Sequence, residues 1–350
     1  MNDEGAKKIK RKTRVLVVDD SLLFRELLVK GISSDNGIEV VGTASDPYSA
    51  RDKIVELEPD VMTLDVEMPR MNGIEFLKRL MPQYPIPVIV VSNASENIFD
   101  ALNAGAVDFV TKPDMSGARG IESIINELII KIKIASMAKV GHWKRDLNAK
   151  NMNFKADTDT GKKIIAIGAS TGGTEAIYQI LKMYPRDMPG TVIVQHMPPV
   201  FTRMYAERLN NSCLVEVKEA ENGDRIAPGR VLVAPGDFHM RIKRRGTDYI
   251  VECFKGDKVN GHCPSVDVLF ESAAKEVGKN AIGVILTGMG YDGAKGLLSM
   301  KKKGSWTIGQ DEQSCVVYGM PKVAFDIGAV ERQASLEQIP QILCTLVADR

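Results

Sequence analysis

Five times before residue 135, a short apolar run gives way to a segment with helical spacing. Residues 14–18, 38–41, 61–64, 88–91 and 107–110 read as strands, and 21–31, 48–57, 73–80, 94–104 and 121–134 as helices. A helix between each pair of strands excludes tight hairpins. It requires a parallel sheet covered on both faces. The pattern resumes with strands at 164–167, 191–194 and 281–286. A chain of 350 residues has room for about two such domains.

The polar residues of the first half fall where those strands end. Asp19, Asp20, Asp65, Ser92 and Lys112 each lie just past a strand's carboxyl end, the edge at which open α/β sheets bind ligands. Three carboxylates gathered there repel one another unless a cation joins them. Mg²⁺ suits oxygen ligands and shares a site with phosphate. Lys112 would offer that phosphate a point charge and Ser92 a hydroxyl. An aspartate can carry an acyl phosphate. Asp65 is the candidate, because Asp19 and Asp20 sit together as metal ligands. The bland alternative, ordinary strand-end polar residues, does not account for all five positions.

Residues 14 to about 134 resemble a response-regulator receiver domain. The resemblance rests on Val17-Val18-Asp19-Asp20-Ser21, Leu64-Asp65-Val66-Glu67-Met68-Pro69, Asn72-Gly73 and Thr111-Lys112-Pro113. It implies a flavodoxin-like domain with strand order 2-1-3-4-5. It also implies phosphotransfer from a histidine kinase to Asp65 with Mg²⁺, and Ser92 with Phe109 as the switch pair. The plainer alternative for Phe109 is a core aromatic. Lys112-Pro113 is a candidate cis peptide, since X-Pro bonds tolerate that form.

In the second half, the strand 164–167 runs into Gly168-Ala169-Ser170-Thr171-Gly172. This fits G-x-S-x-G, a tight strand-to-helix turn that lifts a serine hydroxyl above a sheet. His196 follows the strand 191–194, and Asp292 follows 281–286 by a glycine-rich loop. If those strands are parallel neighbours, Ser170, His196 and Asp292 meet at one edge. Histidine would then take the serine proton while the aspartate orients and stabilises the imidazole. The oxyanion needs preorganised donors. Candidates are the Thr171 N–H and the turn Gly288-Met289-Gly290. Each residue alone has a plainer reading: a helix N-cap serine, a strand-end histidine, a turn aspartate. His239 and His262 compete for the role of base, and a Cys263–His262 pair is a further alternative. The order serine, histidine, acid differs from that of α/β-hydrolases.

The whole second half resembles a chemotaxis receptor methylesterase of the CheB family. The matching pieces are Ser170-Thr171-Gly172-Gly173, Gln195-His196-Met197, Val233-Ala234-Pro235-Gly236, Pro264-Ser265-Val266-Asp267, Leu286-Thr287-Gly288-Met289-Gly290, Asp292-Gly293 and Gly319-Met320-Pro321. The resemblance implies a receiver domain at 13–134, a linker at 135–160 and a doubly wound methylesterase domain at 161–350, with a mostly parallel sheet and a β-hairpin region. It implies Ser170, His196 and Asp292 as triad, with Thr171, Met289 and Gly288 as pocket positions. The reaction implied is hydrolysis of glutamate γ-methyl esters on chemoreceptors, releasing methanol, together with deamidation of receptor glutamines. No cofactor is implied for the ester chemistry, and the location implied is cytoplasmic.

Composition narrows the rivals. Formal net charge is +1, and no helix-turn-helix pattern is visible, against a nucleic-acid-binding regulator. The five cysteines form no C-x-x-C pair and read as free thiols. The polar start leads into a basic run, Lys7 to Lys12, read as a solvated tail rather than a signal segment. No run of about 20 apolar residues suggests membrane insertion. Residues 137–160 read as linker, with Trp143 covering local apolar surface. A receiver-gated binding protein without catalysis is the rival from another class. A serine hydrolase for small metabolites is the rival within catalysis.

Overall fold

The apolar runs of the first half form strands β1 (Thr13–Val18), β2 (Ile38–Ala44), β3 (Val61–Leu64), β4 (Val88–Ser92) and β5 (Asp108–Thr111). Helices α1 (Leu22–Ile32), α2 (Pro47–Leu57), α3 (Gly73–Leu80), α4 (Asn97–Asn103) and α5 (Ala118–Ala135) alternate with them. This computed structural model describes residues 11–69, 71–93, 97–112, 118–141 and 163–348. The chain divides into two units, Met1–Trp143 and Lys144–Arg350.

In the first unit the strands pair in parallel, in the expected order β2-β1-β3-β4-β5. Strands buried on both faces must be apolar throughout, and Val15, Leu16 and Val17 are fully buried. Helix starts are set by short polar side chains that accept orphan backbone N–H groups. Asp46 accepts from Tyr48 and Ser49 ahead of Pro47, and Asn72 accepts from Glu75. The expected Lys112-Pro113 cis bond involves Pro113, outside the described residues. So do the start of the helix expected at 94–104, the basic run up to Lys10, His142, Trp143 and most of the expected linker.

The second unit continues with β6 (Ile164–Ala169), α6 (Gly173–Lys182), β7 (Gly190–Gln195), α7 (Phe201–Ser212), β8 (Glu216–Glu219) and β9 (Arg230–Val233). A hairpin, β10 (His239–Arg245) with β11 (Asp248–Phe254), precedes α8 (Val266–Glu276) and β12 (Ala281–Ile285). The chain ends through α9 (Ala294–Lys302), β13 (Trp306–Gln310), α10 (Met320–Asp326), β14 (Arg332–Ala334) and α11 (Ile339–Ala348). Seven strands pair in parallel in the order β14-β13-β12-β6-β7-β9-β8. The two-stranded hairpin stands outside that sheet and is antiparallel.

The run from Val233 to Met240 divides between two sheets. β9 joins the parallel sheet, and only the segment from His239 onward is hairpin. The chain winds outward from β6 to β7 and β9, then returns to β12 on its other side. The switch point is therefore between β6 and β12. A doubly wound sheet opens its crevice there, outside the carboxyl ends. The core under this edge holds Ala166, Val194, Val266, Phe270 and Ile285. Among the described residues, no helix is long and apolar enough to cross a membrane.

Candidate active site

Of three neighbouring strands, β6 and β7 run directly into Ser170 and His196, and β12 is followed after a short loop by Asp292. Ser170 begins a tight turn, closed by a Gly173 N–H to Ser170 O bond of 2.7 Å. The left-handed residue is Gly172, at φ 78° and ψ −5°, third in the turn, as a type II turn requires. The expected serine elbow is therefore a glycine-supported turn, and the strain does not fall on the serine itself. The Ser170 N–H donates to Thr287 O at 3.0 Å, and Gln195 Nε2 donates to Ser170 O at 3.0 Å. These bonds hold the serine between its two neighbours in the sheet.

His196 Nε2 lies 2.9 Å from Asp292 Oδ2. Its Nδ1 is buried and has no hydrogen-bond partner. The acid therefore engages Nε2 and leaves Nδ1 as the nitrogen open for chemistry. Asp292 is 2% exposed, and an unpaired carboxylate at that depth would be costly. It is instead heavily satisfied. Oδ1 accepts from Ser265 Oγ at 2.8 Å, Asn260 Nδ2 at 2.8 Å and the Asp267 N–H at 3.2 Å. Oδ2 accepts from the Val266 N–H at 2.7 Å as well as from His196. The amide donors open helix α8, where the helix dipole favours negative charge. Burial by itself would raise the Asp292 carboxyl. The bonds from His196, Asn260 and Val266 outweigh it and hold the group well below the usual carboxylate range.

This arrangement needs α8 pressed against β6. At Gly168 a Cβ would lie 2.1 Å from Val266 Cγ1, so only glycine admits the first turn of α8. Gly288 serves the same end on the other side, since a Cβ there would meet Ser170 Cβ at 2.6 Å. Its own N–H donates to Val317 O at 3.0 Å. With that N–H engaged, the turn expected to hold oxyanion donors does not offer one from Gly288. Thr171 is 7% exposed, whereas Met289 is 39% exposed on the loop that leads to Asp292.

The two competing histidines have other occupations. His239 Nε2 donates to Asp257 O at 2.9 Å, while Nδ1 accepts the Ser265 N–H at 3.2 Å. With both nitrogens engaged, His239 supports Ser265 and is not a base. His262 stacks on His196, with ring centroids 3.7 Å apart and planes inclined by 7°. Burial and the neighbouring His196 push it down to about 4. Asn260 also donates to Asp267 Oδ2 at 2.7 Å, so one amide bridges two carboxylates. Neither Asn260 nor Ser265 was singled out from the sequence as a support for the acid. The Asn260-Gly261 dipeptide, a strong turn signal, was the available hint.

In the first unit, Asp19, Asp20 and Asp65 place ligand oxygens within 4.8 Å of one another. Asp19 and Asp65 are buried and Asp20 is exposed. Lys112 Nζ lies 2.8 Å from Asp19 Oδ2 and 2.5 Å from Asp65 Oδ2. Burial opposes the charge on Lys112, but the two carboxylate bonds outweigh it and raise the group. Ser92 is fully buried, and its Oγ has no hydrogen-bond partner. Three hard oxygen donors, a cation and an unpartnered hydroxyl fit a divalent ion beside a phosphorylated carboxylate. Phe109 is buried, with Lys131 Nζ 5.0 Å from its ring centroid.

Comparison with known proteins gives a match for each unit. The response regulator receiver domain family matches residues 15–122, and the CheB methylesterase family matches residues 165–343. A protein-glutamate methylesterase/protein-glutamine glutaminase 2 of Syntrophomonas wolfei is 61% identical, over 96% of this chain and 98% of its own. Its namesake in Syntrophotalea carbinolica is 55% identical, over 97% of this chain and 99% of its own. The crystal structure of the Thermotoga maritima CheB methylesterase catalytic domain superposes with a TM-score of 0.52 at 41% identity, covering 53% of this chain and 98% of that one. At these identities and over nearly its whole length, the chain belongs to the CheB methylesterase family and carries a response-regulator receiver domain.

Proposed function

We propose that this chain is a phosphorylation-activated hydrolase of chemoreceptors. It removes methyl groups from glutamate γ-methyl esters and converts particular receptor glutamines to glutamates. The observation that carries this reading is the His196–Asp292 pair at the sheet edge beside Ser170. Close relatives bear both activities in their names.

Ser170 is the nucleophile. His196 Nδ1 takes its proton as Oγ attacks the γ-carbonyl carbon. Asp292, held ionised, stabilises the imidazolium that forms. The oxyanion is met by backbone donors, for which the Thr171 and Met289 N–H groups are the candidates. Collapse of the intermediate breaks the bond to methoxide, which leaves as methanol with the proton from His196. A glutamine substrate loses ammonia by the same route. Water then resolves the glutamyl ester on Ser170 with His196 again as base.

In the receiver, Asp19, Asp20 and Asp65 would hold Mg²⁺, which supplies charge neutralisation for phosphoryl transfer. Asp65 accepts the phosphoryl group from a histidine kinase. Lys112 pairs with the phosphate, Ser92 donates its hydroxyl, and Phe109 moves with Ser92 as the switch. The receiver, residues 13–134, restrains the catalytic domain, residues 161–350, until Asp65 is phosphorylated. The switch is then a population shift between two states. Residues 135–160 join the two. The enzyme works in the cytoplasm on receptors' signalling regions, without entering the membrane or binding nucleic acid.

The test is methanol release from methylated receptor membranes, with and without a small phosphodonor and Mg²⁺. The reading expects a rise with the phosphodonor, and a high basal rate once residues 1–150 are removed. A truncated enzyme with unchanged or lower activity contradicts the inhibitory arrangement.

A further inference from the structure

His196 is held by Asp292 at Nε2 alone, because Nδ1 has no hydrogen-bond partner. One bond at one ring atom does not fix the plane of an imidazole. The ring can still pivot about that contact, and Nδ1 would swing with it. Packing must supply the second constraint. The His262 ring supplies it by lying parallel at a centroid distance of 3.7 Å.

The chain gives His262 little freedom of its own. Val259 and His262 exchange backbone bonds, Val259 N–H to His262 O at 3.0 Å and His262 N–H to Val259 O at 2.9 Å. Asn260 and Gly261 between them have φ of 52° and 84°, the two left-handed positions of a type I′ turn. The Asn260 side chain is tied to Asp292 and Asp267. One four-residue turn therefore grips the acid through Asn260 and faces the base through His262.

We propose that His262 is a positioning residue for the reaction: its ring, stacked on His196, fixes the plane of the base while the base exchanges a proton with Ser170. The inference rests on the assignment of Ser170, His196 and Asp292 as triad. His262 does not relay the proton, because it offers His196 a π face and no lone pair. A neutral ring in that place also favours a cation forming against it. With a pKa near 4, His262 stays neutral at working pH and does not repel the imidazolium.

The experiment compares the full-length wild type with His262→Ala, His262→Phe and Ser170→Ala, reading kcat and KM for methanol release from methylated receptor membranes. Circular dichroism and thermal melts check folding. His262→Ala is expected to lower kcat by about tenfold to a hundredfold with KM nearly unchanged, the scale of a misoriented catalytic group. His262→Phe keeps a flat ring without a titratable nitrogen, and is expected to recover most of that loss. Wild-type kcat in folded His262→Ala overturns the proposal. So does a folded His262→Phe as impaired as His262→Ala, because a lost nitrogen, not a lost ring, would then be the cause. Release that persists in Ser170→Ala overturns the triad itself, a separate failure.

Discussion

Asp292 Oδ2 lies 2.9 Å from His196 Nε2, and the same carboxylate caps the first turn of α8 through the Val266 and Asp267 N–H groups. The proposed triad acid is here an acceptor for a helix N-terminus. The carboxylate must stay ionised to do both, and its surroundings are built for that.

Replacing Asp292 with Asn leaves a side chain that cannot accept from all five donors. It also gives His196 the wrong partner at Nε2. Methanol release should fall by roughly 10³–10⁴-fold in kcat, the scale of losing the acid from such a triad. Receptor binding should change little. A drop of under tenfold in a folded variant would contradict the role given to Asp292.

Asn260→Leu removes the amide that bridges Asp292 and Asp267 and leaves two buried carboxylates short of a donor. A loss of about 1–3 kcal/mol in denaturant stability is expected, along with lower kcat. Asn260→Asp should be worse than Leu, because it adds a third acid to the pair. Equal stability of all three proteins would argue against the bridge.

Much of this was readable in advance, and the reason is physical. Strands of a parallel sheet covered on both faces are continuous apolar runs, so their ends are visible. Ser170, His196, Asp65 and Lys112 lie at or near such ends, and Asp292 lies a short loop beyond one. What supports Asp292 was not readable, because two of its five donors are backbone amides with no sequence signature. Two more, Asn260 and Ser265, come from the turn and cap at 260–265, which leaves His196 as the one donor named in advance. That stretch registered through His262 and Cys263, as rival catalytic groups, and through Pro264-Ser265-Val266-Asp267, as a family match, but not as a support for the acid. Stacking of two rings distant in sequence leaves no periodic trace. Gly168 was read as part of a serine turn, whereas its contact with Val266 serves α8.

That contact gives a structural prediction. Gly168→Ala would force a Cβ against Val266 and push α8 from β6, costing about 1–3 kcal/mol. Val266→Ala should relieve part of the cost in the double variant. Strictly additive losses in thermal melts would contradict close approach as the reason for glycine.

Acidity offers a further check. His262 sits near 4 in the folded protein against an ordinary 6.5, with burial first and then His196 and Lys258 opposing its charge and Asp292 favouring it. Between pH 6.5 and about 4, the unfolded chain takes up a proton that the folded chain refuses. Stability is therefore lost as pH falls through that window, by up to about 1.4 kcal/mol per unit. His262→Phe lacks this loss. Going from pH 7 to pH 5, the wild type should lose about 1–2 kcal/mol more than the variant in denaturant titrations. Parallel losses would place the His262 shift in doubt.

Regulation is tested at Asp65. Asp65→Asn should keep the basal rate of methanol release and lose the response to a phosphodonor with Mg²⁺. Ser92→Ala should accept the phosphoryl group but respond weakly. Full activation of Asp65→Asn would remove Asp65 as the phosphorylated residue.

The most direct test of the central claim is methanol release by Ser170→Ala on methylated receptor membranes, beside the wild type and with the phosphodonor present in both. The account predicts release by the wild type and none above background by the variant. Equal release from a folded Ser170→Ala protein would contradict it.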